Sequence, residues 1–504
     1  MTPQQLSELG LIVDRACDLG DEQELLIIIA INSEYVETLN GSIEKATLYY
    51  FLANAWSGLR TIRHYKDKSS IWNYEQDEIN HEIIYLRKAK KEKSFLELPV
   101  EYQCSILTNL ANIFSHAGRT VYALRLYTQA LKIEKNFFMA RANRGLCYLS
   151  YLRLDYDESH KIFFAKLAYD DLIQASKYID LYIKNGIHVE YHSDLKAQFN
   201  AEIQGIEAHV QKDFLLTNLE LDKFSFGKLQ EEQDYRRWGL SNCLFLSSMN
   251  DIGNHSIAVH DPLNLPNLFS DIDSGFQKYI TYFNQMKQEY ITYRHLLYEG
   301  IREKTNKLYD QNTALTDDYD YNLYDIDTEK IKLAFRGFYS IFDKIAYFLN
   351  EYFDLPHGEK IDFRTVWKDS SNYKKLNPKF DGLSNLALRG LYFISKDLFS
   401  PKDNKSFITV VEPESEKIND IRNHLEHKFI NIKLIDVSEY QIEDKREQSK
   451  QITRDELENK TLHLARLVRE AMLYLSFTVH IEEDNNRSTH GKYMSIVLET
   501  LRSR

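Results

Sequence analysis

Eight consecutive residues, IRNHLEHK at 421–428, bring together an arginine, an asparagine, two histidines, a glutamate and a lysine. Three chemistries are open to such a set. Arginine is a permanent cation with a flat, bidentate donor edge suited to a phosphate, and histidine, with an ordinary pKa near 6.5, moves a proton in either direction around neutral pH. Arg422 and His427 could therefore form the reactive centre of an enzyme that acts at a phosphate. Such a centre works with a base, an acid and a cation beside the phosphate. His424, Glu426 and His427 form a second candidate set, for a metal, but the two histidines are three apart rather than four and no third ligand stands out. Third, Arg422 and Glu426 at i, i+4 read as a surface ion pair worth about a few tenths of a kcal/mol. At about 100° per residue, Asn423 and His427 share one helical face whereas Arg422 and His427 diverge by roughly 140°. The arginine must bend over the helix start, or the pair must serve a cleft wide enough to see both faces.

An arginine and a histidine at this spacing are weakly specific, since a chain with 16 His should show the pattern on the order of once by chance. Arg153 and His160, in LRLDYDESHK, make a comparable pair whose flanks read as solvated surface in a region of helical repeats. Two things set 421–428 apart: the asparagine directly after the arginine, and the apolar helical segments around it.

Those segments belong to a chain of 504 residues, too long for one hydrophobic core. With only 8 Pro and 18 Gly, long helices are favoured over a turn-punctuated β fold, so the expected class is all-α. The net charge of -12 excludes a protein that coats nucleic acid with its whole surface and leaves room only for a local contact. Cys17, Cys104, Cys147 and Cys243 lie far apart with no C-x-x-C pair, as expected of reduced, buried thiols. The opening residues carry acids throughout and no apolar h-region, and no stretch approaches the ~18 apolar residues of a membrane span. A cytoplasmic protein with no membrane partner is expected.

Residues 106–136, ILTNLANIFSHAGRTVYALRLYTQALKIEKN, give the clearest repeat signal. Leu110, Ala111 and Phe114 line one helical face, Gly118 marks a turn, and Ala123, Tyr127 and Ala130 line a second face. This order resembles the tetratricopeptide (TPR) hairpin. Gly145 and Tyr148 with Ala168, Leu172 and Ala175 continue it, and Leu52, Ala53 and Trp56 with INHEIIYLRKAKK precede it. A hairpin of this kind cannot bury its own face, so a stack over residues 1–211 is expected. The basic run LRKAKKEK (86–93) reads as a solvated helix face, with an RNA or partner contact as the alternative. Gly, Pro and Asn then concentrate in 212–270, which reads as a packed connector containing Trp238, Leu240 and Leu244. Helical segments expected at about 273–309, 328–354, 384–399 and 453–483 build a second body, 271–504. The octet starts a shorter helix between the last two of these segments.

With these features assembled, the chain resembles the HEPN-domain ribonucleases. Arg422, Asn423 and His427 match that family's Arg-x4-6-His signature, in which the residue after the arginine is typically Asn, His or Asp. The upstream repeats, a connector with Trp238, LFL at 244–246 and Asn250-Asp251, and a long closing helix look like a bacterial HEPN subfamily with TPR repeats. The resemblance implies a TPR-like solenoid (1–211), a connector (212–270) and a C-terminal HEPN helical bundle (271–504), with Arg422, Asn423 and His427 catalytic and no metal or cofactor. It further implies a homodimer through the HEPN domain, whose two facing motifs supply base and acid together. The implied substrate is RNA, tRNA or another cellular RNA, and the implied role a toxin or antiphage effector whose repeats sense or dock a protein partner. The competing class is a non-catalytic interaction protein, whose repeats bind peptides and whose bundle binds RNA without cutting it.

Overall fold

The computed structural model describes residues 1–64, 70, 72–186, 189–268, 277–302, 310–316, 322–358, 361–398, 415–434 and 449–489. Sixteen α-helices, three short 3-10 helices and four short strands make up the described elements, so the all-α class holds. Of the described residues, 1–220 and 380–396 build one compact unit, and 221–379, 397–398 and those from 415 onward build a second.

In the first unit, α1 (Pro3–Leu19) and α2 (Glu22–Glu37) precede three hairpins: α3 (Ile43–His64) with α4 (Asp77–Lys91), α5 (Val100–His116) with α6 (Thr120–Ile133), and α7 (Phe138–Leu154) with α8 (Glu158–Lys184). α9 (Val189–His209) and α10 (Lys212–Leu216) close it. The small and aromatic residues read as hairpin faces are interior: Leu110, Ala111, Phe114, Ala123, Tyr127 and Ala130 are all buried. Gly145 lets α7 approach α8, since a Cβ there would lie 3.1 Å from Leu172 Cγ and 3.2 Å from the Ala168 carbonyl. Buried Asp171 ties the same hairpin polar-side, accepting from Arg144 Nε at 2.6 Å and Arg141 Nη1 at 3.2 Å. The basic run 86–93 is split rather than solvated throughout. Arg87 is buried, 4.8 Å from the Phe114 ring centroid, while Lys88 reaches Glu37 at 2.6 Å. Cys104 and Cys147 are buried free thiols, and Cys17 and Cys243 are free and half-buried.

The second unit starts with the connector. Helix α11 (Gln230–Ser241) leads into residues 242–268, which are held by arginines of the bundle. Arg469 and Asp251, both wholly buried, pair at 2.7 Å, and the same guanidinium donates to the carbonyls of Phe245 and Ser247. Arg294 of α12 (Gln277–Ile301) chelates Asp261 at 2.8 and 2.7 Å and also reaches the Leu244 carbonyl. Burial pushes the Asp261 carboxyl up, but the Arg294 guanidinium overrides it and holds the group below its ordinary range. Helix α13 (Ile326–Tyr352) is started by Asp325, whose side chain caps the Thr328 amide at 2.8 Å. Its Ile331, Phe335, Phe338, Phe342, Ile345 and Leu349 recur every three or four residues and are buried. A two-stranded antiparallel pair, β1 (Lys368–Asp369) and β2 (Asn372–Leu376), follows.

The next helix, α14 (Leu386–Leu398), returns to the first unit through residues up to 396, although its sequence position places it in the second body. Its first turns lie so close to the α5–α6 turn that a Cβ on Gly118 (φ +84°) would sit 2.1 Å from the Leu386 carbonyl and 2.7 Å from the Gly390 amide. Glycine is required there twice over, for conformation and for space. Tyr392 packs on Tyr74 with centroids 5.4 Å apart, and Lys396 donates to Asn80 at 2.9 Å. The chain then re-enters the second unit as α15 (Ser415–His427), β3 (Phe429–Lys433), β4 (Ser449–Thr453) and α16 (Arg454–Thr489). β3 and β4 pair in parallel, Phe429 opposite Ser449 through Lys433 opposite Thr453.

Candidate active site

Helix α15 is held by Ile418, Ile421 and Leu425, spaced three and four apart and all buried. That stripe faces inward, so the residues between it set what the helix shows to solvent. The octet does not start this helix, as its sequence suggested, but ends it: Arg422 lies two turns in and His427 is the last helical residue. The helix stops where FINIK begins, because Ile430 and Ile432 alternate with polar residues and take the strand period instead. β3 is fixed by β4 and by a bridge from Asn322 to Lys433, and this anchors the end of α15 that carries His427.

The two motif residues leave the helix differently. Arg422 is half-buried and lies over the ring of Tyr339 on α13, its guanidinium carbon 5.3 Å from the centroid. One of its nitrogens, Nη1, donates to the Asn423 side-chain carbonyl at 3.2 Å. His427 is exposed, and Phe429, two residues on, is 73% exposed, an aromatic ring open to solvent beside it. Asn423 is half-buried on the same helical face as His427.

The alternative sets separate. Glu426 faces Arg336 of α13 at 3.7 Å, with both side chains more than a third exposed, so the ion pair available to it runs between helices rather than back to Arg422. His424 turns the other way: its Nδ1 lies 2.9 Å from the Asp420 carbonyl and 3.3 Å from the Asp420 carboxylate, which also pairs with Lys450 of β4. His424, Glu426 and His427 therefore do not converge. The Arg153 and His160 pair is equally divided. Arg153 is exposed, while His160 is half-buried, 3.1 Å from buried Asp155, at the start of α8.

Three residues of α13 complete the surroundings of the octet: Arg336, Tyr339 and Asp343. Asp343 is pushed up to about 6, first by burial and then by the neighbouring Asp362 carboxylate; a hydrogen bond from the Phe363 amide (3.4 Å) and the Arg422 cation oppose the shift. Burial also raises the Tyr339 phenol, keeping it neutral beneath the guanidinium. These residues escape motif reading because they sit 80 residues upstream. Their signal is faint but present: in LAFRGFYSIFDKIAYF, Arg336 and Asp343 interrupt a strongly apolar helix at a two-turn spacing.

An arginine, its asparagine neighbour and an exposed helix-terminal histidine, set on a bundle of long helices, describe an Arg-x4-His helical domain. Residues 270–482 match the family described as LA2681-like HEPN, so this part of the chain is a HEPN domain. The helical hairpins upstream agree with TPR-like repeats. Neither the curated proteins nor the solved structures give a match to the chain. Among the described residues no helix is long and apolar enough to cross a membrane.

Proposed function

We propose that the HEPN domain is a metal-independent endoribonuclease in which Arg422 holds the scissile phosphate, His427 transfers a proton and Asn423 orients the arginine. HEPN domains are commonly RNases, and they often bind RNA and dimerise. The observation that carries the reading is the disposition of the motif. Among the described residues, the guanidinium of Arg422 is braced by a neutral aromatic ring with donors left over, and His427 is exposed at the end of the same helix.

Within one chain these two groups diverge, by angle and by about 7 Å of helical rise. A single motif also supplies one histidine where cleavage takes both a base and an acid. Two copies with their α15 ends facing would bring one chain's arginine to the other's histidine and give two histidines to one cleft. The homodimer is therefore part of the proposal. The attacking group is the 2′-hydroxyl. One histidine takes its proton as the oxygen bonds to phosphorus, the other gives a proton to the departing 5′-oxygen, and Arg422 offsets the charge gathering on the phosphate. The products carry a 2′,3′-cyclic phosphate and a 5′-hydroxyl. The repeat unit is assigned to sensing or docking a protein partner, in a cytoplasmic toxin or antiphage effector acting on tRNA or another cellular RNA.

The test is incubation of the full-length protein with RNA in EDTA. Cleavage that is lost in both Arg422→Ala and His427→Ala supports the assignment. Intact RNA under all conditions favours the non-catalytic interaction protein.

A further inference from the structure

The side of α13 that meets α15 carries Arg336, Tyr339 and Asp343 at spacings of three and four, so the three side chains form one stripe. Arg336 is taken by Glu426, and the Tyr339 ring lies under Arg422. Asp343 follows one turn further along the axis, ~6 Å from Tyr339. It is half-buried, and its Oδ1 lies 3.4 Å from the Phe363 amide. The charged groups that act on it are Arg422 from α15 and Asp362 from the turn before β1, while Arg364 from the same turn acts on the neighbouring Tyr339. Lys344, next to it in sequence, turns away to pair with Glu289 of α12.

We propose that Tyr339 and Asp343 are positioning residues for Arg422: the buried ring fixes the plane of the guanidinium, and the carboxylate competes with an incoming RNA phosphate for its free N–H edge. This rests on the reading of Arg422 as the phosphate contact. A guanidinium stacked flat on a ring loses side-chain freedom but keeps its in-plane donors, which is the orientation a phosphate requires. A carboxylate close by does the reverse of a phosphate ligand. While ionised it attracts the guanidinium to itself and repels the substrate, and on protonation it does neither. Because burial pushes Asp343 up to about 6, that change of charge falls just below neutral pH rather than in the acid range usual for an aspartate. The affinity for RNA should therefore rise as pH falls through about 6.

The experiment measures binding of a fluorescent single-stranded RNA by anisotropy, from pH 5 to 8 at constant salt. The full-length His427→Ala chain serves as parent, so that neither cleavage nor that histidine's own titration enters. Adding Asp343→Asn should tighten binding at pH 7.5 by about fivefold and remove the step near pH 6. Tyr339→Leu should weaken binding several-fold, and Tyr339→Phe, which keeps the ring, should bind as the parent does. Arg422→Ala separates the two levels of the argument. If it leaves binding unchanged, the phosphate role of Arg422 fails and the positioning roles fall with it. If it weakens binding while Asp343→Asn and Tyr339→Leu match the parent at every pH, the positioning proposal alone is overturned.

Discussion

Asp343→Asn should stabilise the protein at neutral pH, and by an amount that depends on pH in a defined sense. The carboxyl is raised from 3.8 to about 6 in the folded chain, so between those values the folded state binds more protons than the unfolded one. Stability contributed by the protonated group is complete below pH ~4 and is lost as pH rises through about 6, leaving a buried carboxylate at pH 7.5. Two pKa units correspond to about 3 kcal/mol. Asp343 keeps partial access to water, which brings the expected figure to about 1–2 kcal/mol. Asparagine is nearly isosteric, can still accept the hydrogen bond from Phe363, and carries no charge to bury. Thermal melts of wild type and variant at pH 3.5, 6 and 7.5 should give nearly equal midpoints at the lowest pH and a variant higher by about 2–4 °C at the highest. A gap that stays constant across the three pH values would refute the reasoning, as would a variant that melts lower at pH 7.5.

Arg469→Met should cost about 3–5 kcal/mol in urea denaturation, because it leaves the Asp251 carboxylate without its cation in the interior; a loss under 1 kcal/mol would mean that the connector is not held by this pair. Gly118→Val should accelerate amide hydrogen exchange across 386–396, since its side chain would overlap the Leu386 carbonyl. Gly20→Ala is the control, sharing the positive φ but with nothing within 4 Å, and it should leave that segment protected. Arg422→Ala should abolish cleavage with a melting midpoint close to wild type, for the residue is half-buried and gives up one stack, on the Tyr339 ring; gross unfolding would instead make the octet structural. Sedimentation should show a dimer, and a strictly monomeric chain that still cuts RNA would remove the composite site.

The sequence speaks clearly where one periodicity governs. Leu110, Ala111, Phe114, Ala123, Tyr127 and Ala130 were readable as hairpin faces because each helix buries a single stripe, and α13 and α16 because their apolar residues keep the helical period along most of their length. The C-terminal motif was readable as residues but not as geometry. Nothing local says that α15 ends at His427 rather than starting near Arg422, since the end is set by β3, and β3 depends on a partner strand that follows it by more than a dozen residues. The place of α14 was hidden for a related reason. An amphipathic helix declares that it has a buried face, not which unit buries it, and the contact that decides the matter is between Gly118 and Gly390, two residues with no side chain to signal it. Tyr339 was out of reach of any motif because its meaning comes from lying beneath Arg422.

The most direct test of the account is the chemistry of the cut ends. RNA incubated briefly with the full-length protein in EDTA should yield fragments ending in 2′,3′-cyclic phosphate, or the monophosphate from its opening, opposite 5′-hydroxyls. A 2′-deoxy substitution at the scissile nucleotide should block the cut. Fragments with 5′-phosphate ends would contradict the account, because they require an activated water in place of the 2′-hydroxyl and would take Arg422 and His427 out of the roles assigned to them.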